Sequence, residues 1–336
     1  MSDIPVKRNH MKIPWHNYVS ARNNQPITEA SLSEKASLIG RTGMMLLSCG
    51  TGAWRVRSSM NTLSEALGIT CSADIGLMSI SYTCFDGESS FSHTLSLTTT
   101  GVNTSRLNRL EHFVSDFPVE GIHMSGEALH SQLDEIERIH GLYSPAALGL
   151  ASALACGAFT FLLGGGPLEM ILAFAGAGIG NAIRCKLGKH HFTLFMCIAV
   201  SVSSACLVYA GFLKLAELLF HISVQHEAGY ICSMLFIIPG FPFITSGIDL
   251  AKLDMRSGLE RLAYAIIVVM VAAVSAWLMA LLLHLKPVDF LPLELSAAQR
   301  ILFRLLASFC GVFGFSVMFN SPVRLAAAAA FIGALS

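Results

Sequence analysis

The stretch Leu262–Leu285, LAYAIIVVMVAAVSAWLMALLLHL, contains no Asp, Glu, Lys or Arg. A helix rises 1.5 Å per residue, so about 20 apolar residues cross a hydrocarbon core of about 30 Å, and this run reads as a membrane span. Gly141–Leu168, Met170–Ile183, His190–Leu213, Ala228–Ile248 and Leu305–Val323 are equally free of those four residue types. Met170–Ile183 is short, but the turn signal Gly164-Gly165-Gly166-Pro167 feeds it, and Glu169 can sit at the interface. Leu325–Ser336 reads as the opening of a further span, since twelve residues rise only about 18 Å. The expected fold is an α-helical polytopic membrane protein of about six spans plus a truncated seventh.

Composition separates this half from what precedes it. The 336 residues are 53% hydrophobic and 13% charged, with a mean hydropathy of +0.60, against about 25% charged in soluble domains. Residues 1–140 hold 25 of the 44 charged side chains, and the longer remainder holds 19. A polar N-terminal head therefore precedes an apolar membrane half. Net charge is zero, so no basic field exists to attract nucleic acid. The nine cysteines are scattered with no CxxC pair, which argues against a disulfide framework or a zinc site. No metal or other cofactor is expected.

Met1–Gln25 is polar, carries Lys7, Arg8, Lys12 and Arg22, and has no apolar core of secretory-signal length. The head is accordingly expected in the cytoplasm. With the head inside, the loops at 184–191, 249–261 and 320–324 carry seven Lys/Arg and the opposite side four, as the positive-inside rule asks. Four regions follow: a flexible polar tail over 1–27, an α/β head over 28–140, a five-span membrane domain over 141–290, and the start of a second membrane half over 296–336.

Within the head, Ser31 and Glu34 have capping-box spacing before an apolar helix. A second helix is predicted from Ala53 to Leu67 with Gly68 as its stop. Cys71–Phe85 alternates loosely as a strand, Asp86-Gly87 marks a hairpin, and Ser90–Thr100 returns. Helices are predicted near Thr104–Phe117 and Ser125–His140, the latter with Leu129, Leu133, Ile136 and His140 at helical spacing. Gly50-Thr51-Gly52 lacks the Gly-Lys-Ser/Thr of a phosphate loop and follows no strand, so it reads as a glycine turn between helices.

The chemistry-bearing stretch is Pro239-Gly240-Phe241-Pro242, followed by Thr245, Ser246 and Asp249. Two prolines remove two backbone donors, so an apolar segment containing them breaks or kinks. Broken backbone at membrane depth is tolerated where protein or water satisfies it, and discontinuous helices build substrate and ion sites in transporters. Pro239, Gly240 and Pro242 would shape the break, Thr245 and Ser246 offer hydroxyls, and Asp249 would take a proton or an ammonium group. The competing reading is a plain kink with Asp249 at the interface, to which nearby Lys252 and Arg256 point. Glu169 and Asn181 are secondary candidates. Gly176-Ala177-Gly178-Ile179-Gly180 and Ser201, Ser203 and Ser204 suit close helix packing.

Pro239-Gly240-Phe241-Pro242-Phe243-Ile244, then Asp249, then Ser257-Gly258-Leu259, resembles the signature of the threonine/serine exporter family (ThrE type, including YjjP-like subunits). Gly50-Thr51-Gly52-Ala53-Trp54-Arg55-Val56, Ala66-Leu67-Gly68, Gly101-Val102-Asn103, and Leu133-Asp134-Glu135-Ile136 before Tyr143-Ser144-Pro145 resemble its N-terminal pattern. Phe315–Arg324 is similar to the opening of its YjjB-like second half. The resemblance implies a non-enzymatic secondary transporter of a bacterial inner membrane, exporting threonine and serine by proton antiport. Its alternatives are export of small dicarboxylates, or a regulatory or assembly subunit of a two-part exporter. It also implies a small-molecule substrate, contact with lipid, and a complementary second-half subunit or a second copy of the chain, because five spans per half would make the halves inverted repeats.

Overall fold

The structure, a computed structural model, describes residues 13–19, 25–139, 141–221, 226–286, 289–291 and 293–336. The tail expected over 1–27 and His140 therefore lie largely or wholly outside the described residues. The chain separates into two compact units: residues 1–140 with 241–263, and residues 141–240 with 264–336. This division differs from the linear boundaries drawn at 140 and 290, because a segment from the apolar half belongs to the first unit.

The first unit opens on α1 (Leu32–Ser48) and α2 (Ala53–Ala66). Ser31 caps α1 by accepting from the Glu34 N–H, and Gly68, at φ +66°, stops the chain after α2. Three antiparallel strands follow in the order β1 (Thr70–Ile75), β2 (Ser79–Phe85) and β3 (Ser90–Ser96). The single strand expected over Cys71–Phe85 is thus two. Gly76 N–H donates to Ser79 O at 2.8 Å, and the register pairs Ile75 with Ile80, so a turn at 76–78 folds the stretch on itself. The expected hairpin at Asp86-Gly87 joins β2 to β3, with the Asp86 carboxylate accepting from the N–H groups of Glu88 and Ser89.

Helices α3 (Thr104–Asp116) and α4 (Gly126–Glu137) complete the N-terminal part, capped by Asn103 and Ser125. Leu38, Ile39, Met60, Leu63, Ile80, Leu95, Leu110 and Leu129 are fully or almost fully buried in one core. The Tyr82 hydroxyl satisfies Ala36 O at 3.0 Å across that core.

The second unit contains α5 (Pro145–Leu162), α6 (Pro167–Lys189), α7 (Leu194–Phe220), α10 (Ala297–Met318) and α11 (Val323–Leu335). It also holds most of α9 (Met255–Leu283), whose first residues belong to the first unit. Helices α5, α6, α7, α9 and α10 are long and apolar enough to cross a membrane. Ala228–Ile237 and α8 (Gly240–Ala251) form a broken pair that would raise the count to six. The uninterrupted run at 228–248 is therefore not one helix, and α11 is a shorter apolar helix. The run at 170–183 lies inside a 23-residue helix because its flanking charges are also helical.

Small residues let these helices approach. A side chain at Gly176 or Gly180 would come within 2.8 Å of the backbone oxygens of Ala205 or Ser201 on α7. The Ser152 hydroxyl donates from α5 to Ala177 O at 2.8 Å. Outward apolar side chains such as Leu218, Leu282 and Trp277 remain exposed, which suits a surface solvated by lipid.

Candidate functional site

Gly52 is the N-cap of α2 and offers no side-chain cap. The first N–H groups of a helix need an acceptor, and here it comes from α8, almost two hundred residues later. The Asp249 carboxylate accepts from Ala53 N–H at 3.2 Å and from Trp54 N–H at 3.5 Å. A Cβ at residue 52 would stand 2.8 Å from Asp249 Oδ1, so glycine is what lets the carboxylate reach the helix end. The partial positive charge of a helix N-terminus favours an anion there.

Local structure sets the approach. After α8 the chain turns at Leu253, at φ +63°, while Asp254 N–H donates to Asp249 O and Leu253 N–H to Leu250 O. This Schellman-type ending brings α9 back beside α8. Ser257 then donates to Asp249 Oδ2 at 3.0 Å. Arg261 lies one turn further on, with Nε 3.7 Å from Asp249 Oδ2. That separation makes an ion pair without a hydrogen bond, and the guanidinium's two ends instead donate to Gly50 O and Thr51 O at 2.9 and 3.0 Å.

Asp249, Ser257 and Arg261 are all buried. The group seals the turn between α1 and α2. Further links hold the same segment: Arg57 pairs with Asp254, Arg256 with Asp74, and the Glu260 carboxylate accepts from Leu77 N–H at 2.7 Å.

The other residues singled out in the sequence fall as follows. Ser246 is buried and donates to Gly258 O at 2.8 Å. The Thr245 hydroxyl folds onto its own helix, 3.0 Å from Phe241 O and 3.2 Å from Pro242 O. Pro239 precedes α8 and Pro242 sits in its first turn, where a missing N–H removes no helical hydrogen bond. The apolar run thus breaks at Pro239, as the sequence leads one to expect, and restarts as α8 with Pro242 in its first turn; Thr245, Ser246 and Asp249 meet within the first unit. Gly240 marks the end of the second unit's first segment.

Glu169 and Asn181 lie apart from that group, on α6. Asn181 is buried, donating to Leu148 O at 2.8 Å and accepting from Arg184 Nε at 2.9 Å. Glu169 is 2% exposed in the first turn of α6. Its Oε1 lies 2.6 Å from His226 Nδ1, and its Oε2 has no hydrogen-bond partner. Tyr209 donates to His226 O at 2.7 Å, which fixes the backbone that carries the imidazole. His226, Ser257 and Arg261 escaped the site reading of the sequence. Helix geometry carries a signal for the first: α6 and α7 are packed neighbours joined by a short turn, so the chain leaving α7 returns to the end where α6 begins. Among the described residues no cluster of three His, Cys, Asp or Glu could hold a metal ion.

The family model described as "Putative threonine/serine exporter" (ThrE) matches residues 37–284. The chain belongs to this family. The matched range takes in both arrangements just described, the Asp249 group and the Glu169–His226 pair, as well as helices α2 to α9. No curated protein and no solved structure matches the chain. Family membership makes it a membrane transporter of a small molecule.

Proposed function

We propose that this threonine/serine exporter family member moves small hydroxy amino acids out across the bacterial cytoplasmic membrane in exchange for protons, with its N-terminal unit in the cytoplasm. The class of cargo rests on the family match over 37–284, and the orientation on the seven-to-four excess of Lys/Arg in the inner loops.

The observation that carries the proton coupling is the buried Glu169–His226 pair with one carboxylate oxygen left unpartnered. An ionisable side chain inside an apolar helix bundle is costly and faces a partner or a pathway. Glu169 has both a partner that can share its proton and a free oxygen to receive one. Asp249 has neither freedom, since four groups already surround it. In this reading Glu169 and His226 exchange the proton, while Pro239, Gly240, Pro242, Thr245, Ser246 and Asp249 hold α8 in place. A complementary second-half subunit, or a second copy of this chain, completes the pathway.

The test is threonine flux in proteoliposomes under an imposed proton gradient. Glu169→Gln should abolish gradient-driven accumulation while leaving downhill threonine exchange. Gradient-driven accumulation at the wild-type level in that variant would overturn the assignment. Competition by serine and by succinate in the same vesicles reads the cargo class directly.

A further inference from the structure

The hairpin of β1 and β2 sets two cysteines face to face, although no CxxC spacing joins them in the sequence. Its register pairs Cys71 with Cys84. Gly76 N–H donates to Ser79 O, which makes Gly76 and Ser79 a hydrogen-bonded pair. Alternation along the ladder then makes Ile75 and Ile80, Ala73 and Tyr82, and Cys71 and Cys84 the non-hydrogen-bonded pairs. Residues opposed at such positions stand about 4.5 Å apart at Cα, with their side chains close together on one face. A disulfide accepts Cα separations of about 4.4–6.8 Å, so the backbone already has the spacing that a bond between the two sulfurs requires. Both side chains are free thiols, and they hydrogen-bond to each other.

Their surroundings differ. β1 is an edge strand, and Cys71 is partly exposed on it. Cys84 lies on the central strand and is 0% exposed. The hydrogen bond from Cys84 holds the Cys71 thiol below its ordinary pKa against the opposing effect of burial, while the bond to Cys71 and then burial push Cys84 up. A reachable thiol with raised thiolate character, backed by a second thiol, is the arrangement in which a sulfenic acid is resolved to a disulfide. Cys49 shows the contrast: it is 1% exposed, and burial raises it to about 11.

We propose that Cys71 and Cys84 are an oxidative modification site, closing to a reversible intrachain disulfide when a peroxide reaches β1. The Cys71 thiolate attacks one peroxide oxygen, the O–O bond breaks, and hydroxide leaves to give the Cys71 sulfenic acid. The Cys84 thiol then attacks the Cys71 sulfur, the S–S bond forms, the S–O bond breaks, and water leaves. Two thiols thus give up two electrons and two protons as one peroxide becomes two waters, and a dithiol reductant returns both. Disulfides of reducing compartments are of this transient kind. β1 also carries Asp74, paired with Arg256, and leads into the turn whose Leu77 N–H donates to Glu260. The bond would therefore fasten to the central strand the edge that anchors the start of α9. The proposal does not depend on the export reading.

The test uses the full chain in detergent, reduced with dithiothreitol, desalted and exposed to hydrogen peroxide. Intact mass after alkylation should show two thiols withheld from the label, and peptide mapping after cleavage between them should link Cys71 to Cys84. Dithiothreitol should restore both labels. The oxidised chain should melt about 5–10 °C above the reduced one. Cys84→Ala should stop at the Cys71 sulfenic acid, captured by dimedone, and Cys71→Ala should neither link nor capture dimedone at Cys84. The Tm of each reduced variant reports its folding separately, and the mapping of the wild-type chain needs no variant. A Cys71 that labels with maleimide yet forms no link under excess peroxide would overturn the proposal, as would a Cys71 that neither reagent reaches. A link through other cysteines, a Cys71 that runs on to sulfinic acid with Cys84 still free, or a link that dithiothreitol does not reverse would overturn it too.

Discussion

Asp249→Asn distinguishes a structural lock from a transport site. Asparagine keeps the shape and one acceptor oxygen, but removes the charge that faces the α2 N-terminus and Arg261. Removing one partner of a buried ion pair costs about 3–5 kcal/mol, and a weakened helix cap costs about 0.5–2 kcal/mol. Arg261 retains its two carbonyl acceptors and the introduced amide would still offer one oxygen, so the expected loss lies at the lower end, about 3 kcal/mol. A domain of this size loses about 2–4 °C of Tm per kcal/mol, so Tm should fall by about 6–12 °C. Near-UV circular dichroism of the purified chain reads the transition, and limited proteolysis should cut within 241–263 first. Arg261→Gln should cost a similar amount, and the double variant less than the two together. A wild-type melting curve for Asp249→Asn, combined with lost threonine flux, would refute the lock and return Asp249 to the transport pathway.

Gly52→Ala should destabilise the same group by about 1–3 kcal/mol, the range for forced overpacking, because its Cβ meets a carboxylate held on several sides; urea unfolding measures it. His130 should make the N-terminal unit acid-sensitive. Burial first, then Arg41 and His16, push its pKa down to about 3, so its stabilisation is complete above about pH 6.5 and is lost as pH falls towards 3. His130→Gln should flatten Tm across that window. His16 shifts the opposite way, raised first by its hydrogen bond to Glu127 and also by Asp134. Its contribution is full below about pH 6.5 and is lost as pH rises through the elevated value, so hydrogen-exchange protection at Trp15–Tyr18 should fall at alkaline pH, and His16→Gln should remove that dependence. Cys71 should react with maleimide ahead of Cys49, because the Cys84 thiol lowers the first while burial raises the second to about 11.

Much of the secondary structure was legible because its causes are local. Ser31, Asn103, Ser125 and Ser144 each accept from the N–H three residues on, and such caps can be read from a few letters. The apolar helices are legible because lipid demands an uninterrupted run. The turn at 76–78 was not, because both of its strands alternate with the same period and the reversal rests on backbone pairing between Ile75 and Ile80. Residues 241–263 were assigned to the membrane half by composition, yet they join the first unit through Asp249, Asp254, Glu260 and Arg261. Polar contacts from these residues and from Arg256 outweighed an apolar pattern. One clue to this stood in the sequence: α2 begins after Gly52, which has no side chain to cap it, so any side-chain acceptor had to come from elsewhere.

Two of the acids in the apolar half, Asp249 and Glu169, show why residue type alone could not rank the candidates. Both Asp249 and Glu169 are buried, Glu169 in the first turn of α6 and Asp249 in the last turn of α8. What separates them is how many donors already hold each carboxylate. Asp249 faces two backbone N–H groups, a hydroxyl and a guanidinium. Three of these donate hydrogen bonds to it, which fixes the carboxylate between the start of α2 and α9. Glu169 faces one imidazole, itself able to carry a proton, and keeps an oxygen unpaired.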